Sequence, residues 1–554
     1  MSIPKKNILR KNNQIYLLIL VIVAIIAISF TFESIIFAVK ASSFNYVRGI
    51  LITTILIIAF LIIKFKLMSV FYDKSKRSHI ISRIALCFVC VIFTCWISSL
   101  FHTKTDVIPY PLENPVKDYS PYVQQFDAFQ KGQVHLDVDP DPRLVELENP
   151  YDPAQRKGIS YMWDRAYYNG NYYCYFMIAP IITVYYPHYV VFKSLPSDDV
   201  TMRIFTVMTA LFFSLSVIKW ADINAKRLPI PILYIVTISA LFSTQVFLMS
   251  SYPIFYYIAT VAGMAFTSLF TYLFICALAA KNKKVRNLLF ISAGAAYSLV
   301  FLSRINMALL PAFAILPVIW FKIIKPNIKE KKTILTDLIS LGVPIAFAGI
   351  FQMWFNYARF DSVFNFGAYY QLTVGDVSQY KMRITDIFLA AWHYFFQPLS
   401  AGNFPFYTME KRGLFSSYSH FLYIDPNFGL LSIPFFWYLF GSISTFRKTA
   451  VTKEYKIILA SILTGIFFIA WFNFCMAGVV FRYIGDLTIV AALVTAAIIF
   501  CICENAKYIR TVYISVTAIC AISFFISFTL AFSPENDVMS YSPKVYEFIR
   551  DIFK

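Results

Sequence analysis

The sequence predicts an all-α polytopic membrane protein with about thirteen transmembrane helices and two large external loops that carry interfacial helices. Three observations predict it. Apolar runs recur through the whole chain, each long enough to cross a hydrocarbon core of roughly 30 Å. Only 14% of the residues are charged and 59% are hydrophobic, whereas a soluble domain carries about a quarter charged residues. The basic residues form short clusters between the apolar runs, which is how topogenic signals are arranged.

The first run follows Lys5, Lys6, Arg10 and Lys11 and spans roughly Ile15 to Val39. It is longer than a signal-peptide core and no small-residue cleavage site follows, so it reads as a retained helix. Spans are expected near 15–38, 47–65, 84–101, 201–219, 229–250, 254–280, 287–303, 306–324, 335–356, 428–446, 457–475, 483–503 and 511–532. They divide the chain into two N-terminal helices (1–83), a main transmembrane module with its loops (84–505), and a last helix with a tail (506–554).

Orientation follows from the clusters Arg10–Lys11, Lys74–Arg83, Lys281–Arg286, Lys325–Lys332 and Arg447–Lys456. An inside N-terminus and thirteen spans put all of them on the cytoplasmic face. Tyr173–Phe192 is apolar enough to be a span, but counting it would send Lys226–Arg227 and Lys281–Arg286 outside. Its tyrosines, with Pro180 and Pro187, suit a helix lying in the outer interface. The loops 102–200 and 357–427, and the tail from Ser533, are then extracytoplasmic. The expected location is the plasma (inner) membrane, with function in the outer loops.

Several classes are disfavoured. The +19 charge is topogenic rather than a nucleic-acid footprint. Of nine cysteines only Cys174 lies outside an apolar run, and none forms a CxxC…CxxC or Cys/His set. His135, His393 and His420 are dispersed without metal-ligand spacing, and His393 is expected in a packed interfacial helix. No GxxxxGK[ST] or GxGxxG motif is present, so no nucleotide site is expected.

The first loop holds the chemistry. Gln124, Asp127 and Gln130–Lys131 recur at helical spacing, with Phe126 and Phe129 on another face, which predicts a short interfacial helix. Gly132-Gln133, Asn149-Pro150-Tyr151-Asp152 and Trp163-Asp164-Arg165-Ala166-Tyr167-Tyr168-Asn169-Gly170 follow. Carboxylates beside Trp and Tyr suit a carbohydrate site: rings stack on sugar faces, carboxylates take hydroxyl hydrogen bonds, and a carboxylate can deprotonate an attacking hydroxyl. Solvation of an external loop by its acids is the blander alternative.

In order, Asp118, Tyr122, Gly132-Gln133, Asn149–Asp152, Trp163-Asp164, Tyr167-Tyr168, Gly170, Tyr172-Tyr173, Tyr175-Phe176 and Pro180 resemble the first loop of GT-C membrane glycosyltransferases. More narrowly, they are similar to those of a bacterial group related to protein O-mannosyltransferases and aminoarabinose transferases. Ser303-Arg304-Ile305-Asn306 resembles that family's Arg-Pro element, with Ile305 in place of the proline. Asn356–Ser362 with Phe366–Leu372, and Arg482-Tyr483-x-x-Asp486, resemble later elements. The resemblance covers roughly residues 84 to 500.

The resemblance implies a sugar donor linked to polyprenyl phosphate and an extracytoplasmic acceptor (cell-envelope glycan, lipid or protein). Transfer would occur with inversion, by an Asp general base. Asp118 is the first candidate, Asp164 the second and Asp127 the fallback. Arg304, Arg482, Arg203 and Arg359 are the candidates for donor phosphate, since a guanidinium binds phosphate bidentately and stays charged. Lys411–Arg412 is a further candidate, with lipid headgroups as the alternative. Tyr122, Gln125, Trp163, Tyr167 and Tyr168 are expected to hold sugar or acceptor. Some family members use a divalent metal, Mg or Mn. Many relatives have Asp-Glu where this chain has Asp118-Tyr119, so a metal is left unassigned. The rivals are a lipid-linked saccharide flippase or transporter and a polysaccharide polymerase. Transporters place ionisable residues mid-membrane, and these spans hold few.

Overall fold

The computed structural model describes residues 67–101, 107–225, 227–379, 381–402, 406–412, 423–443, 452–505 and 508–533, with 547, 550 and 551. The first two predicted spans, His420 and most of the C-terminal tail lie outside the described residues.

The chain is predominantly helical. Its principal helices are α1 (Arg77–Phe101), α2 (Pro121–Gln130), α3 (Asp198–Asn224), α4 (Ile230–Ser243), α5 (Phe255–Ala279), α6 (Lys283–Phe301), α7 (Ile305–Val318), α8 (Lys331–Phe360), α9 (Lys453–Ala477), α10 (Gly485–Asn505) and α11 (Ile509–Ala531). Among the described residues eight are long and apolar enough to cross a membrane: α1, α3, α5, α7 with its continuation to Asn327, α8, α9, α10 with the turn from Phe481, and α11. This is the architecture of a multi-pass membrane protein.

Very short connections join α5 to α6, α6 to α7, α7 to α8, α9 to α10 and α10 to α11. Such connections force antiparallel neighbours. The ends at Phe101, Asp198, Phe255, Phe301, Ile305, Phe360, Ala477 and Ala531 therefore share one face, which also bears both large loops. The clusters Lys281–Arg286 and Lys325–Lys332 share the other face. There, Asn282 caps α6 by accepting from the backbone of Lys284 and Val285.

α10 is the most deeply packed of the long helices and α8 the least. Small residues explain the first: Gly485, Ala491, Ala492, Thr495 and Ala496 let neighbours approach α10 closely. A Cβ on Gly485 would stand 2.6 Å from Thr260 Cγ2 and 2.7 Å from Met249 Sδ. The loop-bearing end of α10 is thereby pressed against α5.

Two expected spans differ in form. The stretch 229–250 breaks at buried Gln245, whose φ is +62°, before a short helix Val246–Ser250. The break is stabilised by polar contacts: Thr488 Oγ1 donates to the Thr244 carbonyl (2.6 Å), and Gln245 Nε2 donates to Ser527 (3.2 Å). Of the stretch 428–446, Leu430–Ser432 and Pro434–Phe440 are 3-10 rather than α, residues 441–443 are α-helical, and 444–446 lie outside the described residues. The 3-10 part lies along α10 and α11. Gly429 sits against the Phe395 backbone in the second loop, and Gly441 against Ile498 and Ile502 near the other end of α10. A 3-10 helix rises about 2.0 Å per residue, so a dozen residues cover roughly 24 Å.

Tyr173–Phe192 is not a single long helix: strand Asn171–Tyr173 ends in it, and its apolar helix, Ile181–Phe192, is only 12 residues long. Its helical part, Ile181–Phe192, packs on α2 and leads into Ser194–Pro196, which pairs antiparallel with Val107–Pro109. Ile182, Tyr186, Val190, Val191 and Phe192 are exposed on its outer side. α2 departs from expectation. Tyr122 to Ala128 are all buried, so it is a plug inside the loop module rather than an interfacial helix with a wet face. Cys174 is buried too, and all nine cysteines are free.

Candidate functional site

Trp163-Asp164-Arg165 precedes a hairpin whose strands, Ala166–Tyr168 and Asn171–Tyr173, are joined by Asn169-Gly170, both with positive φ. Asn-Gly is the preferred pair for such a turn. Asp164 itself is left-handed, with φ +53°. That costs a non-glycine residue about 1–2 kcal/mol. The second loop holds it there. Asp164 N donates to the Leu372 carbonyl and Leu372 N to the Arg165 carbonyl, each at 3.0 Å. Arg156 Nη2 adds a bond to the Thr373 carbonyl (2.7 Å), and Asn149 one to Asp376 (3.3 Å).

Around Asp164 the ends of three helices meet. Tyr256, at the start of α5, donates its hydroxyl to Asp164 Oδ2. The Arg482 guanidinium lies 4.7 Å from the Tyr256 ring centre and 5.4 Å from that of Tyr483. Arg304, at the start of α7, lies 4.4 Å from the same Tyr483 ring and donates Nε to Asp486 Oδ1 at 2.6 Å. Asn473 donates to Asp486 Oδ2 (2.9 Å) and accepts from Asn306 (2.8 Å). Two guanidiniums thus share the faces of one tyrosine, whose π-electrons attract both.

The two arginines differ. Arg304 is an ion-pair member, while Arg482 has no hydrogen bond or ion pair among the described residues, only ring contacts. A half-buried guanidinium with its donors unspent has the hydrogen-bonding capacity to bind an anion. Gly478, with φ +80°, ends α9 and turns the chain into Phe481–Ile484, the 3-10 turn that carries Arg482. Arg165 is a third, buried guanidinium. It donates Nε to Gln124 Oε1 (2.9 Å) and Nη1 to the Trp163 carbonyl (3.1 Å). Burial pushes it below the usual arginine range. Tyr175 is held well above the usual phenol range by burial and then by Asp164.

The other expected site residues fall outside this group or under it. Asp118 is exposed, on the turn Val116–Asp118. That turn is tied in by Gln124, whose Nε2 donates to the carbonyls of Val116, Lys117 and Tyr119. Gln124 thus links the Asp118 turn to Arg165 and so to Asp164. Asp127 is buried and engaged by Lys131 (2.9 Å) and Tyr110 (3.2 Å). Tyr122 is buried beneath the Tyr185 ring, Gln125 is buried beside it on α2, and Tyr167 is buried against Tyr172. Tyr168 donates to Asp361 (3.2 Å), and Trp163 is 49% exposed on the rim. Arg359 is buried and spends donors on the carbonyls of Cys174 (2.8 Å) and Phe355 (3.2 Å) and on Asn356. Arg203 is half-buried on α3. Arg412 pairs with Glu410 (3.0 Å).

Sequence reasoning missed Tyr256, Gln124 and Asn473 as parts of this group. Phe255-Tyr256-Tyr257 reads as one more stretch of an interfacial aromatic belt, and nothing in its spacing separates Tyr256 from its neighbours.

A protein-held divalent metal does not fit the donors. Both Asp486 oxygens are engaged by Arg304 and Asn473, and one Asp164 oxygen by Tyr256. Among the described residues no group of three or more His, Cys, Asp or Glu converges.

Two tests of the supporting contacts follow. Asp486→Ala strands Arg304, which is 14% exposed at its side chain. Removing one partner of a buried pair costs about 3–5 kcal/mol. A clear drop in thermal unfolding temperature in detergent is expected, with recovery in Arg304→Met/Asp486→Leu. The second concerns His393, which is buried in the second loop with Nδ1 2.6 Å from Gln397 Oε1. Burial lowers its pKa from 6.5. The unfolded chain therefore takes up the proton first as pH falls, and the folded state loses stability below about pH 6.5. Unfolding temperatures between pH 8 and 5.5 should fall less in His393→Gln than in the parent.

Comparison with family models, with curated proteins and with solved structures finds no match.

Proposed function

We propose that the protein is a glycosyltransferase that moves a sugar from a polyprenyl-phosphate-linked donor to an extracytoplasmic acceptor. In this reading the chain has thirteen spans, and the loop-bearing face is the outer face of the plasma membrane. The observation that carries it is the pairing of an unspent arginine, Arg482, with a carboxylate, Asp164, through one tyrosine, Tyr256. The order of loop motifs and the charge topology support the same reading.

Arg482 binds the donor phosphate, and Arg304, held by Asp486, adds positive potential beside it. Asp164 Oδ1, which has no partner among the described residues, accepts the acceptor's proton. The hydroxyl oxygen attacks the anomeric carbon, the bond from that carbon to the phosphate oxygen breaks, and polyprenyl phosphate leaves with the electron pair. Inversion follows from attack opposite the leaving group. Asp164 takes precedence over Asp118 because it touches the arginine cluster's own tyrosine, whereas Asp118 is reached only through Gln124 and Arg165. Trp163, on the rim, offers an apolar face for an acceptor sugar.

The experiment is transfer of labelled sugar by the purified protein in proteoliposomes, using a panel of polyprenyl-phosphate sugars and envelope-fraction acceptors. Transfer from at least one polyprenyl donor, and none from nucleotide sugars, is the expected result. Labelled lipid-linked saccharide crossing the bilayer without transfer would favour the flippase reading instead.

A further inference from the structure

Tyr256 touches both halves of the cluster, and the proposed chemistry does not yet use it. Its hydroxyl is spent on Asp164 Oδ2, which leaves Oδ1 as the open oxygen. Its ring lies under the Arg482 guanidinium at 4.7 Å. The same ring meets Phe176 edge-on, with centroids 5.8 Å apart, and lies 4.0 Å from Phe255. Phe255 in turn lies 5.5 Å under Arg165, the residue next to Asp164. The ring is therefore fixed by packing, and its two functions point to different partners.

We infer that Tyr256 is a positioning residue that sets the carboxylate of Asp164 and the guanidinium of Arg482 in register across one rigid ring. This rests on the transferase reading of the same site. The division of labour is chemical. The hydroxyl fixes which Asp164 oxygen faces the acceptor, so it acts on turnover. The ring face supports Arg482, so it acts on anion binding. The two can be removed separately. Tyr256→Phe takes only the hydroxyl, and Tyr256→Leu takes the ring as well.

The experiment measures two quantities on the full-length protein in detergent: the Kd for a polyprenyl monophosphate, and kcat and KM for the donor identified by the transfer panel. Tyr256→Phe should leave Kd and KM within about twofold of the parent and lower kcat roughly 10- to 100-fold, the scale of a misplaced reacting group. Tyr256→Leu should also weaken polyprenyl phosphate binding, by roughly five- to tenfold, as a lost cation–π contact does. Should Tyr256→Leu not fold, the kcat-against-KM split in Tyr256→Phe decides alone, because a merely structural tyrosine would lower kcat and raise KM together with a loss of thermal stability. Unchanged kcat in Tyr256→Phe, or equal loss of binding in both variants, overturns the inference. A parent that binds polyprenyl phosphate but transfers nothing ends the transferase reading. The binding arm still decides the Tyr256 ring's role in that case. A parent that binds no polyprenyl phosphate overturns both.

Discussion

Arg482→Gln is expected to weaken binding of polyprenyl phosphate roughly 10- to 100-fold, the worth of charged hydrogen bonds of about 1.5–3 kcal/mol. Arg482 rests on two rings and makes no direct ion pair among the described residues, so its loss breaks no salt bridge and should change thermal stability less than the loss of Arg304 does. Arg304 provides the contrast. Its guanidinium is committed to Asp486, so Arg304→Gln should lower stability through the stranded carboxylate at least as much as it lowers binding. Arg482→Lys should restore only part of the affinity, because an ammonium is a point charge without the bidentate fork. Equilibrium binding of a polyprenyl monophosphate, against the same polyprenol without phosphate, checks the set. Equal loss in Arg482→Gln for both lipids would mean that the arginine supports the fold rather than the anion.

The second large effect concerns Asp164. Asp164→Asn keeps the shape and the Tyr256 contact but removes the base, and should reduce transfer about 10²- to 10⁴-fold with donor binding retained. Asp118→Asn is the paired control. Asp118 is exposed on a turn that Gln124 secures through backbone carbonyls, so the substitution disturbs no contact of that turn. A larger loss in Asp118→Asn than in Asp164→Asn would return the role of base to Asp118, the residue that the loop motif alone puts first. Asp127→Asn should change stability rather than turnover, since its carboxylate is engaged by Lys131 and Tyr110.

Much of the architecture was legible in the sequence because it rests on long-range composition. The long apolar helices follow from hydropathy. What hydropathy does not encode is local geometry. The break at Gln245 and the 3-10 form of 430–440 depend on side-chain hydroxyls and close backbone packing from other helices. α2 shows the same limit: its polar residues recur at helical spacing, yet they are buried because Gln124 and Asp127 find partners inside the loop module. In the site, Arg304, Arg482 and Asp164 were legible as motif members. Their grouping depends on α5, which contributes a tyrosine that sequence reading cannot tell from its neighbours. Arg359 shows the converse, a motif arginine whose donors go to backbone carbonyls and to Asn356.

In the proposed mechanism one phosphate-bearing lipid binds at the Arg482–Tyr256–Asp164 cluster. The most direct measurement is an experimental structure of the protein in a lipid nanodisc with a bound polyprenyl monophosphate. Phosphate oxygens are expected within hydrogen-bonding distance of Arg482, with Asp164 facing the same space and the prenyl chain running between helices from the loop-bearing face. A phosphate seated on the lysine-rich face, or at the loop-bearing face away from Arg482, would contradict that mechanism.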